Sequence, residues 1–143
     1  MKIAVIDGQG GGIGKLLVDR IRKTFQDDVE ILAFGTNSMA TSLMVKAGAN
    51  EGATGENAIK CNVNKVDVIV GTISTIIVNA MMGEVTPTIA ETVSSSKALK
   101  LLLPLNRSNV SVIGSKVEPL PHLVDRLINQ LKKIKEERSD NNV

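Results

Sequence analysis

The stretch IAVIDGQGGGIGK, residues 3–15, carries the strongest structural signal in the chain. It begins with four consecutive apolar residues, a run typical of a β-strand that is buried on both faces of a sheet. A glycine-rich turn follows, and apolar residues then recur at the helical positions 13, 16, 17 and 21. A buried strand that leads through such a turn into an amphipathic helix indicates an α/β domain with a parallel sheet.

The rest of the chain repeats this alternation of strands and helices. Further strands are predicted at 29–34, 50–54, 66–71, 99–103 and 110–113, and further helices at 37–47, 56–64, within 72–96 and from about 119. Only residues 104–109 separate the last two strands, so an antiparallel hairpin is expected at the sheet edge. The predicted fold is a three-layer Rossmann-like α/β domain over residues 1–135, with a mainly parallel sheet, this edge hairpin and a C-terminal helix. The polar tail 136–143 is expected to fray.

The composition disfavours several classes of function. A chain of 143 residues with 43% hydrophobic residues is long enough for one domain with a substantial core. It has two Phe, no Trp or Tyr and a net charge of only +2, which argues against a nucleic acid partner. One Cys and one His argue against a metal site, and Cys61 is expected to lie in the core rather than to act as a nucleophile. The apolar runs are too short for a membrane span or a signal peptide, so we expect a cytoplasmic protein without a membrane partner.

The glycine-rich turn is the candidate binding site. Five of the seven residues 8–14 are glycines. Glycine lets the backbone approach a phosphate closely, and a helix N-terminus supplies N–H groups and partial positive charge. The sequence therefore predicts a site for a nucleotide or another phosphorylated small molecule, formed by Gly8, Gln9, Gly10, Gly11, Gly12, Ile13 and Gly14. The alternative is a turn whose glycines serve only close packing of the strand against the helix.

Within residues 2–37, the spacing Gly8-x-x-x-Gly12-x-Gly14 resembles the fingerprint of short-chain dehydrogenases/reductases. The resemblance implies nucleotide binding and makes NAD(P) a candidate, although the cofactor stays open. The chain has no tyrosine, so the catalytic Tyr-Lys pair of that family is absent and its hydride chemistry is not implied. No acid follows the second strand, where dinucleotide-binding folds hold a ribose. Thr36 and Asn37 are found at this place instead. They either contact a ribose or 2′-phosphate, or they cap the second helix.

Other candidate residues come from the ends of predicted strands and loops. Thr72 follows a strand and is expected to face the same crevice, unless it caps a helix. Asn106 and Arg107 lie at the tip of the predicted hairpin, where Arg107 either clamps an anion or is a solvated loop residue. Asp7 either contacts a ligand or orders the glycine turn. Glu84, a lone acid in an apolar stretch, is either a general base or the mark of a surface turn, which we favour.

The long segment 72–96 is nearly uncharged and carries the pair Met81-Met82. It either completes the core or forms a surface through which the chain becomes a homodimer. Three hypotheses remain open at this point. The protein is a binding module or sensor for a phosphorylated ligand, a small enzyme with Asp7 or Glu84 as acid or base, or a homodimeric interaction protein without a ligand.

Five stretches, of which the first is the glycine-rich turn, occur in this order along the chain: DGQGGGIGK at 7–15, GTNSMA at 35–40, GATGENA at 52–58, GEVTP at 83–87 and PLNR at 104–107. On these stretches, residues 1–130 resemble a family of short, uncharacterised bacterial proteins, a domain of unknown function. The resemblance implies a Rossmann-like fold and a bacterial cytoplasmic setting. It implies no particular activity.

Overall fold

A computed structural model describes residues 1–105 and 109–141. Strands and helices alternate along these residues. The strands are β1 (Lys2–Asp7), β2 (Glu30–Gly35), β3 (Glu51–Thr54), β4 (Val68–Thr72) and β5 (Leu99–Leu103). The α-helices are α1 (Gly12–Phe25), α2 (Ser38–Lys46), α3 (Glu56–Asn62), α4 (Pro87–Ser94) and α5 (Leu120–Asn141).

The five strands form one sheet in the order β3-β2-β1-β4-β5, and each of the four neighbouring pairs is parallel. The two faces of the sheet carry separate apolar clusters, because successive side chains of a strand point to opposite faces. Residues of α1, α2 and α5 join Ile3 and Val5 of β1 in one cluster. Residues of α3 and α4 join Ala4 and Ile6 in the other. This arrangement confirms the predicted three-layer α/β fold.

The strand order also fixes where a ligand crevice can form. Helices α1 and α2 lie on one face of the sheet and α3 and α4 on the other, so the chain changes sides between β1 and β4. In open parallel sheets, such a switch point leaves a crevice at the carboxyl ends of the two central strands. The glycine loop follows β1 at this place.

The predicted edge hairpin is wrong. Residues 109–119 contain no strand in the structure, and β5 pairs only with β4. The backbone N–H and hydroxyl of Ser115 both donate to the Val112 carbonyl, which makes a turn where a ladder was expected. The segment leads instead into α5, where Glu118 pairs with Arg126 at 3.0 Å.

Two smaller expectations also differ from the structure. Helix α5 continues to Asn141, well into the tail that was expected to fray. Cys61, interpreted as a core residue, is exposed on α3. In the described part of the chain, we find no helix with the length and apolar character needed to cross a membrane.

Candidate functional site

The glycine loop borders a cavity of about 190 Å³ at the carboxyl ends of β1 and β4. The loop and the start of α1 form one wall, and Thr72 and Met81 form the other. Typical pockets for a whole ligand enclose roughly 300–1,000 Å³. The cavity therefore has room for a phosphate-sized group, with the remainder of a ligand lying along the open crevice.

Several N–H groups of the loop have no hydrogen-bond partner among the described residues. Those of Gly10, Gly12 and Ile13 donate to no other residue among 1–105 and 109–141. The first N–H groups of an α-helix have no acceptor within the helix, and together they carry a partial positive charge. Gly10 and Gly12 are exposed and Ile13 is half-buried, so an anion can reach all three donors from the solvent.

Three of the loop glycines are explained by their surroundings. A Cβ at Gly8 would lie 2.3 Å from Thr36 Oγ1, and one at Gly14 would lie 2.8 Å from Asp7 Cβ. Gly11 has a φ of +76°, which disfavours other residues, and its Cβ would lie 2.8 Å from the Ala40 backbone. These glycines therefore agree with the alternative interpretation of the loop, in which glycine serves only close packing of the strand against the helix.

Gly10 and Gly12 have no such explanation. Neither has a positive φ, and a Cβ on either would meet no atom of the described residues within 4 Å. Alanine would therefore fit at both positions without contacting the described part of the chain. These two positions leave open space next to N–H groups that have no partner among residues 1–105 and 109–141.

Asp7 holds the start of α1 in place. Its side chain is 5% exposed, and Oδ2 accepts a 2.6 Å hydrogen bond from the Gly14 N–H. A carboxylate at this position stabilises the helix because it faces the positive end of the helix dipole. Asp7 thus orders the glycine turn, which was one of the two roles that the sequence left open.

Glu84 reaches the glycine loop from a distant part of the chain. Its Oε1 accepts hydrogen bonds from the Gln9 N–H at 2.9 Å, the Thr36 hydroxyl at 2.7 Å and the Asn37 side-chain amide at 2.8 Å. Its Oε2 accepts no hydrogen bond from the described residues. Oε2 is also not fully buried, since the one fully buried side-chain atom without a partner among these residues belongs to Glu118. One oxygen is therefore saturated, while the other is open to a further donor.

The hydrogen bonds of Glu84 decide its charge. Partial burial raises the pKa of its carboxyl group, but the bonds from Thr36, the Gln9 backbone and Asn37 together lower it below 4.5. Glu84 is consequently an anion at neutral pH. A general base or acid that works near neutral pH requires a raised pKa, so this environment does not favour the acid-base role.

A short left-handed segment delivers Glu84 to the loop. Asn79, Met81 and Met82 have φ values of +65°, +56° and +56°, and Gly83 has +92°. Each non-glycine residue in this region costs on the order of 1–2 kcal/mol. Hydrogen bonds between Asn79 and Val85, and between Val85 and Ala80, close the segment at 2.8 and 3.1 Å and offset part of this cost.

The other predicted site residues fall into three groups. Thr72 is 3% exposed and lines the cavity. The Asn37 side chain caps α2 through the Ala40 N–H at 2.9 Å, and Thr36 donates to Glu84, so both side chains already have partners inside the protein. Asn106 and Arg107 lie outside the described residues.

Lys15 was not one of the predicted site residues. It is exposed on the first turn of α1, directly after the glycine loop.

Sequence reasoning missed Met81 as a residue of the site and named Glu84 as an acid–base candidate or a surface-turn residue, not as a partner of the loop. Met81 lines the cavity, and the Glu84 carboxylate contacts Gln9 across 75 positions of sequence. A signal was present, because Glu84 is the first of only two acids in the segment 72–96. Nothing in the sequence showed that the carboxylate turns inward.

A larger groove of about 630 Å³ lies elsewhere, between β5, residues 114–118 and α5. Its polar lining includes the ion pair of Glu118 and Arg126, whose Glu118 Oε2 is buried without a hydrogen-bond partner among the described residues. Most of its other lining side chains are apolar, and no row of free N–H groups faces it. The smaller cavity at the glycine loop is instead lined by Gly10, Gly12 and Ile13, whose N–H groups have no partner among the described residues.

Comparison with known proteins places the chain in a family. Among solved structures, a dodecameric FMN-dependent Ubix-like decarboxylase from Escherichia coli O157:H7 is similar, with a TM-score of 0.47 and 12% sequence identity over 92% of this chain and 94% of that one. No curated protein matches the chain. A domain of unknown function (DUF3842) matches residues 2–136. The chain therefore belongs to this DUF3842 family.

Proposed function

We propose that this protein binds a nucleotide or another phosphorylated small molecule at the glycine loop and acts as a sensor or binding module. The backbone N–H groups of Gly10, Gly12 and Ile13 are the donors to the phosphate. The observation that carries the proposal is the open space at Gly10 and Gly12. Packing and backbone conformation explain the other loop glycines, but beside these two positions the described residues leave space that an external group can occupy.

Only part of the glycine loop is free to bind the phosphate. The N–H groups of Gln9 and Gly14 already donate to the carboxylates of Glu84 and Asp7. The N–H groups of Gly10, Gly12 and Ile13 therefore remain for an anion. Thr72 lines the same cavity, as does Asp7, whose Oδ2 already accepts from the Gly14 N–H.

The expected affinity for a bare phosphate is low. Three hydrogen bonds to a charged oxygen contribute about 1.5–3 kcal/mol each. Lost translational and rotational freedom costs roughly 4–15 kcal/mol. At the favourable ends of both ranges the net free energy of binding is only about −5 kcal/mol, so inorganic phosphate is expected to bind no more tightly than about the submillimolar range. A natural ligand of higher affinity needs further contacts along the crevice.

Isothermal titration calorimetry with phosphate, pyrophosphate, AMP, ATP, NAD and NADP tests the proposal. Gly10→Ala and Gly12→Ala each place a methyl group in the proposed phosphate position and are expected to weaken binding at least tenfold. Ser42→Ala, at an exposed position of α2, is the matched control and should bind as the parent does. Absence of binding by every compound, or full affinity in both glycine variants, would contradict the proposal.

A further inference from the structure

We infer that Glu84 makes this site selective for a ribonucleotide, by accepting hydrogen bonds from the 2′- and 3′-hydroxyl groups of the ribose through Oε2. The inference rests on the proposed function, since it places the sugar of the same ligand whose phosphate the glycine loop binds. Neither the composition nor the family assigns a role to Glu84. The inference follows from where its carboxylate lies.

The Glu84 carboxylate is held in one orientation. Three donors converge on Oε1, one from the loop after β1 and two from the residues after β2. A carboxylate oxygen accepts about two hydrogen bonds, so Oε1 has no capacity left for a ligand. Oε2 has no partner among the described residues, which leaves it as the acceptor for a group that arrives from the solvent.

The position of this acceptor matches the course of a nucleotide across the sheet. The cavity for the phosphate lies at the carboxyl ends of β1 and β4. Glu84 bonds to Gln9 of the loop and lies beside Thr36 and Asn37 at the carboxyl end of β2. In parallel sheets that bind dinucleotides, an acid at the end of the second strand accepts the ribose hydroxyl group. This chain has Thr36 and Asn37 at that place, and segment 77–86 supplies the carboxylate from elsewhere.

Charge decides which sugar fits. An anionic carboxylate attracts hydroxyl donors and repels a second phosphate, particularly where protein replaces water. A ribose with free 2′- and 3′-hydroxyl groups therefore fits the site, and a 2′-phosphorylated ribose does not. Among the candidate cofactors, this favours NAD over NADP.

Calorimetry on the full chain tests the inference with four ribonucleoside 5′-monophosphates, their 2′,3′-dideoxy counterparts and inorganic phosphate. Using all four bases makes the comparison independent of the base. At least one ribonucleotide should bind about tenfold more tightly than its dideoxy counterpart, the gap expected for the loss of a charge-assisted hydrogen bond. In Glu84→Gln this preference should fall below about threefold. The same variant should bind phosphate more tightly, since a nearby negative charge is removed.

The outcomes separate the two claims. If phosphate binds but ribo- and dideoxynucleotides bind equally, the inference about Glu84 is wrong and the proposed function stands. If nothing binds, both are wrong. An undiminished ribose preference in Glu84→Gln would also overturn the inference. Should that variant fail to fold, the comparison of ribo- and dideoxynucleotides in the unmodified protein still decides the question.

Discussion

Within the glycine loop, identical residues meet different surroundings. The space beside Gly14 is filled by Asp7 and Met44, whereas no atom of the described residues fills the space beside Gly12. Gly14 belongs to the packing of α1 on β1, and Gly12 lines the cavity where we propose that the ligand binds. Substitution by alanine should separate these two roles.

Gly14→Ala is expected to destabilise the protein by about 1–3 kcal/mol, because its methyl group would overlap Asp7 Cβ and Met44 Sδ at less than 3 Å. Gly12→Ala should change the free energy of unfolding by less than about 0.5 kcal/mol, the usual range for an open surface position. Urea denaturation of the two variants and the parent measures this difference. Equal loss of stability in both variants would show that Gly12 also has a packing role.

The hydrogen bonds of Glu84 predict a dependence of stability on pH. Because they hold its folded pKa below the unfolded value of 4.5, the stabilisation is complete above that value and is lost as the pH falls through the folded pKa. Urea denaturation at pH 7.5, 5, 4 and 3 should show that the parent has a larger free energy of unfolding than Glu84→Gln, and that this difference becomes smaller toward acid pH. Glu91→Gln, at an exposed position of α4, should give no such trend. A difference in the free energy of unfolding that stays constant with pH would contradict the lowered pKa of Glu84.

At the scale of single residues, the sequence located the loop and left its partners undetermined. The glycine cluster and the strand before it are local signals, so they were readable. The contact between Glu84 and Gln9 depends on the path of a segment 75 positions away. That path passes through positive φ values at Met81 and Met82, a conformation that methionine does not favour. Local propensity therefore could not indicate the inward turn.

Among the secondary-structure elements, buried strands were the easiest to predict and the edge was the hardest. The run VIVG in β4 is apolar because both faces of the sheet are covered there. Residues 110–113 show a similar short pattern of valine and isoleucine, but Val110, Val112 and Ile113 are exposed and form the connection to α5. Three apolar residues in four positions favour extended backbone without specifying a pairing partner, so the predicted hairpin was wrong.

The left-handed segment before Glu84 gives a prediction at the level of the element. Met82 is 97% exposed with a φ of +56°, so Met82→Gly relieves backbone strain without removing buried contacts. The relief of about 1–2 kcal/mol exceeds the entropic cost of glycine, about 0.5–1 kcal/mol, and a modest net stabilisation is expected. Met39→Gly, at an exposed methionine position in the right-handed helix α2, should instead destabilise by about 1 kcal/mol. Thermal or urea denaturation that destabilises both variants alike would contradict the strain argument.

For the whole molecule, α5 shows which parts of the chain the fold needs. Its buried side chains end with Ile134, and beyond that point its one ion pair among the described residues is Arg138 with Asp67, at 3.1 Å. Removal of residues 136–143 should cost less than about 1 kcal/mol, because exposed ion pairs contribute little. Removal of residues 120–143 should prevent folding, since it uncovers one face of the sheet. Circular dichroism and urea denaturation of both truncations measure this, and a large loss in the shorter truncation would show that the final turns of α5 are structural.

Self-association through residues 72–96 stays a prediction. Most apolar side chains of this segment fill the core, including Val85, Ile89 and Val93. Val78 and Met82 remain as its large exposed apolar residues among those described. The apolar character of the segment is thus largely accounted for by packing within one chain.

The exposed position of Lys15 on the first turn of α1 has a practical use. The chain has no tryptophan or tyrosine, so it has no useful fluorescence of its own. Cys61 is its one cysteine and is exposed, so Cys61→Ser removes the competing thiol. Lys15→Cys in that background allows a small environment-sensitive dye to be attached next to the glycine loop, outside the positions proposed for the phosphate, and arrival of a solute would change its emission.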